Sequence, residues 1–182
     1  MRIKLSVVLL LLFCFAFVGN SFGQGPDAPK EMEVFKNDVG TWDCKIKFWM
    51  DPAGEAQEST GTETNEMLGG MWLISEFKGE FFGAPFQGSG QFGFNPDTKK
   101  YVGSWVDSMS PHAMCMEGTW DAAKKTMTQF GTGKDPMGND MKSKSTIVYQ
   151  DKDNHVMTMF NLAPDSKDNW VKSMEITYKR KK

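Results

Sequence analysis

The chain has 182 residues, with 21 Lys and Arg against 23 Asp and Glu, three cysteines and 13% aromatic residues. That is enough for one domain with a packed core and too little for two. A formal charge of −2 lacks the basic footprint of a nucleic-acid binder, and 18 glycines with 8 prolines are too few for a fibrous or disordered chain.

Residues 1–23 read as an export signal that is removed. Arg2 and Lys4 make a basic start, Leu5 to Val18 is an apolar run, and Ser21-Phe22-Gly23 before Gln24 supplies the small residues of a signal-peptidase site. The run falls short of the roughly 20 residues of a membrane-spanning helix. Cys14 lies inside it behind Phe13, without the small residues that precede a lipid-modified cysteine. The expected product is a single domain over residues 24–182, periplasmic or secreted, with no stable membrane insertion after cleavage. With 19 basic and 23 acidic side chains it has nothing to steer it to nucleic acid or anionic lipid. Lys179 to Lys182 reads as a solvated basic end. Cys44 and Cys115 remain; an oxidising compartment permits one disulfide, and the other reading makes both small buried apolar residues.

One helix is expected at Pro29 to Asp38, with Glu31 and Glu33 in its first turn, apolar Met32, Val34 and Phe35, and Gly40 to stop it. Period-two alternation follows. Thr41 to Met50 sets Trp42, Cys44, Ile46 and Phe48 against Asp43, Lys45 and Lys47, and Asp51-Pro52-Ala53-Gly54 ends that strand. Further strands are expected over Ala56 to Met67, Met71 to Phe81 and Phe86 to Phe94. The last of these carries Phe86, Gly88, Gly90, Phe92 and Phe94 on one face. Glycines inside a strand mark bends or the close approach of another group.

The turn at Asn95 to Lys100 leads to Tyr101–Asp107, where Tyr101, Gly103, Trp105 and Asp107 share a face. Strands over 113–120, 126–132, 142–150, 155–162 and 169–179 complete a series of about ten, joined by polar turns. Parallel sheets need crossovers that this chain lacks. The pattern is therefore all-β, an antiparallel up-and-down meander that closes into a barrel around a core or a small cavity; the rival is a two-sheet sandwich.

A short helix followed by Gly40-Thr41-Trp42 resembles the Gly-x-Trp opening of lipocalin-like (calycin) barrels. Pro85-Phe86-x-Gly88-x-Gly90, Gly93-Phe94-Asn95-x-Asp97-x-x-Lys100-Tyr101-Val102, Trp105-Val106-Asp107-Ser108, Glu117-Gly118 and Asp135-Pro136 together resemble the bacterial domain-of-unknown-function family numbered 1579, over roughly residues 30–180. The resemblance implies a barrel and carries no catalytic residues.

The familiar catalytic signatures are missing from the sequence. It has no Gly-x-Ser-x-Gly elbow, phosphate loop, dinucleotide fingerprint or His-Glu-x-x-His, and only two histidines. His112, Met114 and Met116 fall at i, i+2 and i+4, so a strand presents an imidazole and two thioethers on one face. Such soft donors suit Cu(I), and His112 is the one candidate axial ligand for haem; the plainer reading makes the methionines core filler and His112 a rim residue. His155, behind Asp151-Lys152-Asp153-Asn154, is expected at a solvated hairpin tip. No cofactor is required by the pattern.

The favoured expectation is a small hydrophobic or amphipathic ligand bound without catalysis inside the barrel, touched by Phe92, Tyr101, Trp105, Asp107 and His112. A copper or haem carrier using His112, Met114 and Met116, or a filled-core interaction module, is the alternative. Asp107 beside Trp105 reads either as a buried acid that orients a ligand head or as an exposed strand-ending Asp. Trp42, Trp72, Trp120 and Trp170 are expected to fill the core or close a barrel end.

Overall fold

A computed structural model describes residues 27–135 and 137–182, so the export signal read at 1–23 lies outside the described residues. Ten strands form one closed barrel: β1 Gly40–Phe48, β2 Gln57–Leu68, β3 Trp72–Phe81, β4 Ala84–Asn95, β5 Lys100–Asp107, β6 Ser110–Asp121, β7 Thr126–Lys134, β8 Asp140–Tyr149, β9 Asn154–Leu162 and β10 Trp170–Arg180. Each strand pairs antiparallel with the next, and β1 closes the ring against β10 with Trp42 opposite Arg180 and Phe48 opposite Met174. This is the expected up-and-down meander, with no sheet edge left unpaired.

The helix is shorter than the sequence suggests: a 3-10 turn at Lys30–Met32 runs into a one-turn helix, α1, at Glu33–Lys36. A single turn cannot stand alone. It is held by burying Met32, Val34 and Phe35 against Leu73, Tyr101 and Met127, which closes one end of the barrel. Arg180 ties the following segment down, donating from Nη1 to Val39 O (2.7 Å) and from Nη2 to Asn37 O (2.6 Å), with its guanidinium 4.1 Å from the Trp42 ring centroid.

The second core cluster gathers Trp42, Cys44, Ile46, Phe48, Phe77, Ile176 and Tyr178 around β1. Trp42 fills the core and Trp120 packs edge-on against Tyr149 as expected, but Trp72 and Trp170 do not. Trp72 lies on the outer wall over Gly93, 40% exposed, and Trp170 packs against the exposed Phe130. Alternation assigns residues to a face without saying which face is inside. The cysteines are both free, Cys44 buried in the interior and Cys115 exposed on the outer face of β6, so no disulfide forms between them.

Candidate functional site

The end opposite α1 is the mouth, ringed by the connections 49–56, 82–83, 108–109, 135–139 and 163–169. Side chains that point into a closed barrel meet solvent only through its lumen or ends. Met116, Met157 and Phe92 point inward away from the strand ends and are half-buried rather than buried, as are Trp105, Met114, Met159 and Met174 nearer the mouth. These inward-facing side chains thus keep part of their exposure, unlike the fully buried residues of the two core clusters.

Glycines make the room. A Cβ at Gly88 would fall within the indole of Trp105, and one at Gly90 would meet both Trp105 and Phe92. The same relation holds for Gly61 and Gly79 under Phe77, and for Gly103 under Phe92. With no Cβ in the way, these rings pack close against the wall, Phe77 and Trp105 with the β1 cluster and Phe92 with the closed-end cluster. On the other side Met114 crosses Gly131 and accepts a hydrogen bond at Sδ from Ser143 Oγ (3.5 Å). Methionines with small buried Ser143 and Ser145 thus face the aromatic wall, giving an adaptable apolar lining with a few polar groups. Asn161, opposite Ser143, has a buried Oδ1 without a hydrogen-bond partner among the described residues.

The structure divides the residues that the sequence singled out. Trp105 and Asp107 lie together at the mouth, Trp105 Nε1 donating to Asp107 Oδ2 (3.2 Å), and Met114 is opposite Trp105 on the neighbouring strand. The other oxygen of Asp107 accepts from Met109 N (2.9 Å) and Ser110 N (3.1 Å), so this carboxylate both orders the β5–β6 turn and touches the indole. Phe92 packs against the closed-end cluster, its ring 6.3 Å from that of Phe35. Tyr101 belongs to the closed end, donating to Glu31 O (3.0 Å) and packed edge-on under Phe35. Met114 and Met116 share the inward side of β6, whereas His112 lies beyond a register shift in that strand and is half-buried beside the mouth, lining a depression with Cys115 and Thr132. Among the described residues no three His, Cys, Asp or Glu gather as a metal site. Two depressions of about 310 and 400 Å³ lie apart from the lumen, one on the outer wall at Thr64, Glu66 and Leu68, the other beside the mouth at Pro111, His112, Cys115 and Lys134.

His155 is a correction. It is 5% exposed, not solvated: Asn154 already pairs with Lys179 in β10, so the next residue turns inward, stacked on Tyr178 (4.3 Å) and edge-on to Trp42 (4.5 Å). Burial pushes its pKa down to about 4, with nearby Arg180 adding to the shift, and its Nδ1 has no partner among the described residues. Around it is a polar cluster that sequence reasoning missed. Tyr149 donates to Asp38 Oδ2 (2.7 Å), Asn65 donates to Glu63 Oε1 (3.0 Å) and Tyr178 donates to Glu63 Oε2 (3.4 Å). Burial pushes the Asp38 carboxyl up to about 7, with Glu63 adding to it, and burial likewise raises Glu63. The cluster draws on α1's tail, β2, β8, β9 and β10, so no local spacing reveals it. These groups sit beneath α1, away from the mouth, and fasten the closed end.

A family model described as protein of unknown function (DUF1579) matches residues 27–180. The chain belongs to this family. No curated protein matches it. Among solved structures, Rv2717c from M. tuberculosis is similar at 10% identity and TM-score 0.62, covering 86% of this chain and 100% of that one. The S-type phycobiliprotein lyase CPES from Guillardia theta is similar at 13% identity and TM-score 0.59, covering 86% and 99%. At these identities the likeness is one of fold.

Proposed function

We propose that the protein is an exported carrier that holds a small hydrophobic or amphipathic molecule in the barrel lumen, without catalysis. One observation carries this reading: inward-facing Trp105, Met116 and Met157 keep part of their exposure, in a wall where glycines leave room beside the rings. The apolar lining supplies affinity by burial, roughly 25 cal/mol for each Å² of apolar surface removed from water. The few polar groups, Asp107, Ser143 and Asn161, orient what is bound. A phycobiliprotein lyase built on a similar barrel is consistent with this use of the fold. Export rests on the Arg2–Gly23 segment.

Native mass spectrometry with metal analysis, before and after denaturation, tests the reading on protein purified from the exporting host. The expected result is an organic mass excess that is lost on denaturation. A metal or haem excess moves the assignment to His112, Met114 and Met116. Equal masses, no metal and no uptake of an apolar fluorescent probe overturn the carrier and leave a filled-core module.

A further inference from the structure

We propose that the molecule held in the lumen is a cationic amphiphile, an amine or quaternary ammonium with an apolar body, whose head rests at the mouth against Trp105 and Asp107. This rests on the lumen-binding reading above. The first support is the geometry of the pair. Trp105 points inward over Gly88 and Gly90, half-buried, and its Nε1 donates to Asp107 Oδ2 at 3.2 Å. An indole face with a carboxylate at its edge is what a desolvated cation seeks, and Trp is the best cation–π partner. An anion placed there meets the negative face of the ring and the Asp107 charge together.

The second support is the asymmetry of the two ends. The five mouth connections carry five carboxylates (Asp51, Glu55, Asp135, Asp165, Asp168) and one lysine, whereas the four connections at the other end (69–71, 96–99, 122–125, 150–153) carry three carboxylates and four lysines. A potential of one sign around an opening concentrates ligands of the opposite sign.

The third is apolar surface on the mouth loops, past which the ligand's body enters. Among the described residues, four exposed large hydrophobic side chains lie in connections rather than on strands, and all four are at the mouth: Met50 at 70% exposure, Phe82 at 49%, Met109 at 46% and Met137 at 85%. Phe82 takes this place at φ +53, a conformation costly for a bulky side chain. It packs edge-on against Phe48 and Phe81.

The test compares dodecyltrimethylammonium, dodecanol and dodecanoate, each below its micelle concentration, by calorimetric titration and tryptophan fluorescence. The expected order is cation, then alcohol, then carboxylate, with about tenfold between the first two and a gap that narrows as salt is added. Asp107→Asn keeps the oxygen that orders the turn, so the fold is retained. It weakens binding of the cation severalfold more than binding of the alcohol. Equal affinities for the three heads, or tightest binding of dodecanoate, overturn the charge preference and leave the lumen reading standing. Binding of none of the three overturns both.

Discussion

Asp38 and His155 are pulled in opposite directions by the same burial. The Asp38 carboxyl is pushed up from 3.8 to about 7, so the fold favours its protonated form; the stability this gives is fully present below pH 3.8 and is lost as pH rises through 7. His155 is pushed down from 6.5 to about 4, so the fold favours the neutral ring; that contribution is present above pH 6.5 and is lost as pH falls through 4. Between pH 4 and 6.5 the two slopes oppose, each on the order of 1 kcal/mol per pH unit. Glu63, also raised by burial, adds to the Asp38 slope, so urea unfolding across that window should give a stability that falls with pH for the natural chain. Asp38→Asn should flatten that fall, and His155→Phe should steepen it. Profiles unchanged in both variants would show that these buried groups do not titrate in this way.

At the scale of elements, a strand's glycines decide what its neighbours' rings may do. Gly88 of β4 is covered by Trp105 of β5 and has no room for a Cβ. Gly88→Val is expected to push the indole off the wall into the lumen, costing about 1–3 kcal/mol through overpacking and blocking uptake of an apolar probe. A variant that keeps both its stability and its uptake would mean that the indole has another resting place. The faces of β1 were legible in the sequence because apolar Trp42, Cys44, Ile46 and Phe48 alternate with charged residues. Those of β2 were not: Glu63 and Asn65 point inward and Thr64 and Glu66 outward, and hydropathy does not separate them. His155 was misread for a related reason, since a tight charged turn hides that the strand has begun one residue earlier.

For the whole molecule, the decisive event is closure of β1 on β10, which joins residues more than a hundred positions apart. Removing 170–182 would open edges on β1 and β9, delete Tyr178 from above His155 and Glu63, and release the segment that Arg180 ties down. Exposed edges pair with other chains, so the truncated protein should lack a soluble monomer on size-exclusion chromatography. A truncated chain that elutes as a monomer and unfolds cooperatively would show that nine strands are sufficient. The candidate site depends on the same closure. Trp105, Asp107 and Met114 were in view from the sequence because β5 and β6 are neighbours in the chain, while Met157, Met159 and Met174 join the lining only once the ring is complete.

The sequence by itself determined the number and order of strands, the antiparallel meander and the family, because alternation and turn chemistry are local and each polar turn ends one strand and starts the next. It also put Trp105 and Asp107 on one face. Tertiary structure alone decided which end α1 closes, that Tyr101 serves that end, that Trp72 faces out and that His155 is buried. Those outcomes turn on which face of each strand closes around the interior and on contacts between strands distant in the chain, and neither is encoded in the spacing of any one segment.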